Sequence, residues 1–271
     1  MNSKYLQIMK KIFATVLVLA ALMPAALAQG TKNDMESDFR GRLSAGIDKK
    51  ISKGFHLDVE GEVRFTDNFG EVGRYQLGAG LSYKIAPWLK AGLGYLYIGN
   101  KGSSGSFSPR HRGYFDLTES LASGDWKFSL RERILLTHRG GDFNKFQSTP
   151  NALALKTRFK AQYKGFANVS PYAIAELKIQ LNDPACKGTW NGTEYTSYEF
   201  KGYDDCYLTR IRGGLGAEWK LSKQHALDFY LLADYIYSKE IDTNKAGTKL
   251  KSLTYDQTFA TTIGVAYKFS F

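Results

Sequence analysis

The sequence predicts an all-β protein, a transmembrane antiparallel up-and-down β-barrel, and three observations carry that expectation. Segment after segment alternates apolar and polar side chains with a period of two, the spacing that sends successive residues to opposite faces of a strand. Short turns and long connections follow one another down the chain. Beyond the N-terminal segment no stretch is continuously apolar for the roughly 20 residues a membrane helix requires, so a membrane location has to come from strands.

Residues 1–28 read as a cleaved secretory signal: Lys4, Lys10 and Lys11 precede an apolar run from Ile12 to Met23, and Ala26-Leu27-Ala28 has the small-x-small form of a cleavage site. The barrel is expected over residues 29–271. No cysteine follows the cleavage site, which argues against a lipid anchor.

The first alternating segment runs from Asp38 to Ile51, with Phe39, Gly41, Leu43, Ala45 and Ile47 on one face. After the turn Ser52-Lys53-Gly54, residues Phe55 to Phe65 alternate as clearly. A polar loop from Thr66 to Gly73 leads to the strand Arg74–Ile85, and Ala86-Pro87-Trp88 turns the chain into a strand starting at Leu89. Gly99 to His111 reads as a loop, and the strands Arg112–Leu121 and Trp126–Thr137 are joined by Ser123-Gly124-Asp125. The loop His138–Asn151 precedes strands at Leu153–Tyr163 and Tyr172–Gln180. Leu181 to Cys206 is read as the longest connection. Tyr207–Leu221 and His225–Tyr237 are strands about Ser222-Lys223-Gln224, and Ser238–Tyr255 is the last loop before Phe259–Phe271.

Eleven strands are readable in this way, whereas closed single-chain bacterial barrels use an even number. The expected count is twelve, with a short additional strand near the N-terminus and ten as the alternative. Residues 29–37 could form that strand, cross the lumen, or leave the first strand pairing unusually with the last. Three segments share an apolar-Gly start and an aromatic-Lys finish: Leu77 to Lys84, Leu215 to Lys220 and Ile263 to Lys268. Each heads into a short turn or the C-terminus, which orients these ends toward the periplasm.

The two faces then acquire chemistry. Trp88, Trp126, Trp219 and Phe271 gather beside the short turns, and Tyr95, Tyr97, Tyr235 and Tyr237 sit at the opposite strand ends, two aromatic girdles. The inward face carries Arg40, Arg42, Asp58, Glu60, Glu62, Arg64, Arg74, Lys84, Arg131, Arg133, Lys156, Arg158, Lys160, Glu176, Arg210, Arg212, Asp228 and Asp234, with bases in excess. In a narrow barrel such side chains either brace a closed lumen with ion pairs or line a small channel preferring anions. Glu132 breaks the pattern, since strict alternation would leave it facing lipid near mid-depth. A β-bulge or local twist is expected to turn it inward.

The formal charge is +11, of which the leader's Lys4, Lys10 and Lys11 supply three, leaving +8. Export disfavours nucleic acid as the partner of that charge, and leaves anionic lipid or small anionic solutes. Cys186 and Cys206, in an exported chain, most simply form one disulfide. That connection also holds Trp190, Tyr195, Tyr198, Phe200 and Tyr203, an aromatic set that could recognise a glycan or partner. An enzyme is disfavoured. His138 with Asp142, or His111 with Ser106 and Ser108, could form an acid–base or nucleophilic pair, but neither stands in a motif. No metal-ligand spacing or cofactor-binding loop is present in the sequence.

The ending Tyr267-Lys268-Phe269-x-Phe271 resembles the C-terminal signature that barrel-insertion machinery reads in Gram-negative outer-membrane proteins. That ending, with Leu57 to Arg64, Leu77 to Lys84, Pro109 to Arg112 and Ser129 to Arg133, resembles a family of small outer-membrane barrels classed as a domain of unknown function, the 2490 type. The long cysteine-bearing connection departs from that family's pattern. The resemblance implies a barrel in the cell outer membrane, in contact with lipid and lipopolysaccharide, and implies no activity. The functional expectation is a narrow channel or structural membrane protein. The alternatives are surface binding through the loops and, third, an outer-membrane hydrolase or acyltransferase.

Overall fold

The computed structural model describes residues 31–32, 36–102, 105–140 and 144–271, so the expected signal segment lies outside the described residues. Twelve strands form one sheet. The first, β1 (Thr31–Lys32), has two residues, and eleven long strands follow: β2 (Glu36–Ser52), β3 (Phe55–Thr66), β4 (Glu71–Ala86), β5 (Leu89–Lys101), β6 (Phe107–Ser123), β7 (Trp126–Arg139), β8 (Asn151–Tyr163), β9 (Val169–Trp190), β10 (Tyr195–Lys220), β11 (His225–Thr243) and β12 (Leu250–Ser270). Consecutive long strands pair antiparallel from β2 to β12, and β12 then pairs with β2, so the wall is closed.

Closure across that seam is parallel, from Thr258 opposite Glu36 to Ser270 opposite Asp48. The direction is forced by the count: in an up-and-down wall of eleven long strands, the first and the last run the same way. Parallel ladders are slightly less stable per residue, and this seam is reinforced at its periplasmic end. The amide of Phe271 donates to the Asp48 carbonyl at 3.0 Å and that of Lys50 to the Phe271 carbonyl at 2.9 Å. Lys268 pairs with Asp48 at 2.7 Å, and the Lys49 ammonium lies 5.0 Å from the centre of the Phe271 ring.

Alternation places the apolar residues outside, where Leu77, Leu93 and Leu215 are exposed as side chains facing hydrocarbon would be. The short turns fall where the sequence puts them, and at the first of them Gly54 adopts a positive φ of 85°. The opposite connections depart from expectation. Residues 181–206 and 238–255 are mostly strand, because β9 to β12 extend as two hairpins of 22 and 26, and 19 and 21, residues. About ten residues suffice to cross a bilayer, so the remainder projects beyond the extracellular girdle. The sequence there is broken by Gly188, Pro184 and paired acids, and the bulges between Phe200 and Tyr207 absorb those breaks.

Between β3 and β4 the turn is tight, and Asp67, Asn68 and Phe69 all have positive φ. Asp and Asn tolerate that region, whereas a bulky residue there is unusual. Phe69 is held in it by Phe39, with ring centres 5.2 Å apart, and by Phe65 at 6.0 Å.

Candidate functional site in the barrel lumen

Of the inward charges expected from alternation, Glu62, Glu176, Arg212 and Asp234 are buried in the barrel, and register decides which of the charges meet, arranging them in transverse rows. In one row Arg158, Glu176, Arg212 and Asp234 lie opposite one another across β8, β9, β10 and β11. Signs alternate along these four, and the next position of the row on β7, Arg131, repeats the sign of Arg158. Glu176 is 2% exposed, and its carboxylate accepts from Arg158 at 2.5 Å and Arg210 at 3.1 Å, with Lys156 at 3.0 Å and Arg212 at 3.6 Å completing four cations around one acid. Arg212 also forks onto both oxygens of Asp234, at 2.5 and 2.8 Å.

One step toward the extracellular side, Arg133, Lys156, Lys178 and Arg210 occupy directly opposed positions across β7 to β10. A second like-charge row, Arg42, Arg64 and Arg74, crosses β2, β3 and β4. Arg110 faces Arg139 on β6 and β7. Glu62 pairs with Arg42 at 3.6 Å and also with Arg64, and Asp116 takes Arg133. Arg74, Arg110, Arg112, Arg139 and Lys178 are in no ion pair among the described residues. Arg74 donates to the Asn100 amide oxygen at 3.1 and 2.8 Å and Arg112 to the Thr137 hydroxyl at 2.8 Å, both neutral acceptors.

The periplasmic half is packed differently. Tyr114, Tyr172 and Tyr230 lie flat over glycines of neighbouring strands: Tyr114 over Gly94 and Gly80, Tyr172 over Gly216 and Tyr230 over Gly264. Gly216 and Gly264, in two of the three repeated apolar-Gly segments, are therefore seats for tyrosine rings, whereas Gly78 in the third meets Leu96. Arg133 lies 4.0 Å from the Tyr114 ring centre, Lys160 lies 3.8 Å from that of Tyr172, and the Tyr172 hydroxyl donates to Asp228 at 2.9 Å. Glu60 points inward between Gly46 and Gly78 and remains exposed, so lumen water reaches it. Arg40 sits near the extracellular end, paired with Asp38 at 2.5 Å. Arg131, opposite Arg158, faces the lumen on β7.

At the extracellular end the β7–β8 connection reaches across two intervening strands. Asn144 donates to the Thr243 hydroxyl at 3.0 Å and Gln147 to Asp242 at 2.8 Å, while Phe146 packs edge-on against Phe200 at 5.4 Å. Lys239, within the hairpin, bonds Asp205 and the Pro184 carbonyl.

Several expectations change. Glu132 faces outward, because β7 pairs with β6 and β8 without a register shift, Glu132 lying between Leu117 and Thr157. A one-residue slip would turn the whole strand over, and the bidentate Arg133–Asp116 pair inside the lumen holds it in place. Cys186 and Cys206 are free thiols. Register explains the separation: Cys186 lies opposite Phe200, six residues from Cys206, on the same hairpin. Burial pushes both thiols above their ordinary pKa.

Of the girdle residues, Trp88, Trp126, Trp219, Tyr95 and Tyr97 are exposed on the outer surface. Tyr235 donates to Gln257 at 2.7 Å. Tyr237 is instead buried, stacked on Tyr255 at 5.5 Å and edge-on to Tyr207 at 5.9 Å, because the strand extensions cover it. Tyr267 bonds His225 at 2.6 Å, and Phe269 packs on Phe271 at 5.2 Å.

Of the candidate catalytic pairs, His111 and Ser108 are not brought together. His111 faces outward and bonds Tyr95 at 2.5 Å, whereas Ser108 faces inward onto the Asn100 carbonyl. His138 bonds Asn151 at 2.9 Å, and Asp142 lies outside the described residues. The sequence reading missed Arg110, Arg112, Arg139, Lys178 and Asp116 as lumen residues. Parity along β6, which runs from Arg110 through Arg112 and Tyr114 to Asp116, was the signal for three of them.

No curated protein matches this chain. Among solved structures it is similar to the NanC porin, at 11% identity over 80% of this chain and 95% of that one with a TM-score of 0.41. It is also similar to outer-membrane expressed OmpT of Vibrio cholerae, at 12% identity over 73% of this chain and 61% of that one with a TM-score of 0.35. The family described as "Protein of unknown function (DUF2490)" matches residues 43–245, and the chain, a closed barrel of outer-membrane type with a basic lumen, belongs to that family.

Proposed function

We propose that the protein is an outer-membrane pore whose lumen favours small anions. The observation that carries this reading is the pair of like-charge rows, Arg42–Arg64–Arg74 and Arg133–Lys156–Lys178–Arg210. Like charges directly opposed across strands destabilise a sheet, so fold stability alone gives no reason to put seven cations there. A local choice that works against the fold is the kind expected at a functional site. Rings of Arg and Lys favour anions and repel cations, and the uncompensated charge of Arg74, Arg110, Arg112, Arg139 and Lys178 would raise the local concentration of anionic solutes.

In this reading the barrel sits in the outer membrane of a Gram-negative cell, girdled by lipid and lipopolysaccharide. Tyr267, Phe269 and Phe271 supply the ending that insertion machinery recognises. A second reading, surface binding, has its own support in the hairpin tip, where exposed Trp190 packs on Tyr195 at 4.9 Å beyond the girdle.

The test of the pore is the reversal potential of the refolded protein in planar bilayers under a potassium chloride gradient. The expected permeability favours chloride over potassium by at least several-fold, and Arg74→Glu with Lys178→Glu brings the ratio to unity or below. Silence over a range of voltages and salts, in protein whose gel mobility is heat-modifiable, would overturn the pore.

A further inference from the structure

The like-charge row Arg42–Arg64–Arg74 and Arg210, the last member of the other row, line one cavity of about 220 Å³. Its walls carry six guanidinium groups, those of Arg40, Arg42, Arg64 and Arg74 from β2 to β4 and of Arg210 and Arg212 from β10. Asp234 is the sole carboxylate residue in that lining and is taken by Arg212; Asp38, Glu62 and Glu176, outside the lining, pair with Arg40, with Arg42 and Arg64, and with Arg210, and Arg74 is in no ion pair among the described residues. The Nε–H groups of Arg42 and Arg210 are buried and make no hydrogen bond, the Glu62 carboxylate lying 3.6 Å from that of Arg42, beyond hydrogen-bond reach. A buried unmet donor costs on the order of 1–3 kcal/mol, and more when charged, yet two are left on opposite walls of one cavity.

We infer that this cavity is a binding site for a phosphate group, carried by free phosphate or by a small phosphate monoester. This rests on the anion-favouring lumen proposed above and names the class of solute it takes. A guanidinium fork matches phosphate oxygens two at a time. A tetrahedral dianion offers acceptors in several directions at once, so one group in the cavity can meet guanidinium groups from both β2–β4 and β10. A planar monocarboxylate offers acceptors in one plane only. At about 30 Å³ per water in liquid, the space holds roughly seven waters, enough for a phosphate and a few further atoms.

The intact barrel, refolded in detergent with heat-modifiable mobility as proof of closure, is titrated calorimetrically at constant ionic strength. Inorganic phosphate, glucose 6-phosphate, acetate and chloride are used in separate arms. The expected result is saturable one-site binding of phosphate at least tenfold tighter than acetate, with Arg42→Gln and Arg210→Gln each weakening it at least tenfold. Lys127→Gln, at the periplasmic end of β7, leaves it unchanged. Tighter binding of glucose 6-phosphate than of phosphate identifies the ester as the solute, and the reverse identifies the free ion.

Phosphate binding no tighter than acetate, or lost equally in Lys127→Gln, overturns the site. Chloride-preferring current in bilayers without phosphate binding removes the site and leaves the pore standing. Saturable phosphate binding without current does the opposite.

Discussion

Two adjacent rows of the lumen, one register step apart, are built on opposite rules. Arg158, Glu176, Arg212 and Asp234 alternate in sign and close on one another through short charge-assisted hydrogen bonds. Arg133, Lys156, Lys178 and Arg210 share one sign; Asp116, the next position of the row on β6, takes Arg133, and Glu176 of the neighbouring row takes Lys156 and Arg210. The first row can be understood as bracing for the wall. The second weakens the wall and gains nothing from its own members, so the two separate stability from function within a few ångströms of the same surface.

The largest expected effect comes from the residue that serves both rows. Glu176→Gln leaves Lys156, Arg158 and Arg210 without their carboxylate and Arg212 with Asp234 alone. Removing one partner of a buried ion cluster costs about 3–5 kcal/mol, read as a lowered urea midpoint for the barrel in detergent. Lys178→Gln, in the like-charge row, should move the opposite way. It relieves opposition to Lys156 and Arg210, stabilising by up to about 1 kcal/mol, and reduces anion preference. If both substitutions destabilise equally, the contrast between the rows is wrong.

How much of this was legible follows the same division. Alternation alone identified Arg158, Glu176, Arg212 and Asp234 as inward, because side-chain direction has a period of two and needs no partner. It could not say that Glu176 stands between Arg158 and Arg212, since those oppositions depend on register across a turn at residues 164–168 and on a hairpin tip far outside the barrel. The same limit hid the rows and the cavity between them. Arg110 and Arg139 were lost differently: Pro109 and the Gly140-Gly141 pair read as loop, although β6 runs through Pro109 and β7 continues to Arg139. The odd number of strands was readable, but the parallel seam that resolves it was only one of three possibilities.

A smaller effect tests whether the periplasmic half is held by shape as the middle is held by charge. A methyl added at Gly94 would overlap the Tyr114 ring, whereas one at Gly113 on the outer face of β6 meets nothing within 4 Å. Overpacking costs typically 1–3 kcal/mol. Gly94→Ala should therefore lower the unfolding midpoint by that order while Gly113→Ala leaves it unchanged or slightly raised. The displaced ring would also release Arg133, so Gly94→Ala should alter single-channel conductance as well.

The last effect concerns the outer face, where Glu132 contrasts with the inward acids that meet arginines. Inside, Glu62, Asp116, Glu176 and Asp234 are matched to guanidinium groups; outside, Glu132 is flanked by Leu117 and Thr157, with the Glu119 carboxylate raising rather than relieving the local charge. A lipid-facing acid near mid-depth is unfavourable, though less so than Arg or Lys at the midplane, and Glu132→Leu should stabilise the barrel by about 1–2 kcal/mol. Glu62→Leu, the inward counterpart, should destabilise it, since Arg42 and Arg64 would lose their shared carboxylate. The sign difference between two Glu→Leu substitutions, measured by equilibrium unfolding in lipid vesicles, reports directly which face each acid occupies. A loss of stability in Glu132→Leu would mean that the side chain has a partner within the lumen and that β7 carries the bulge after all.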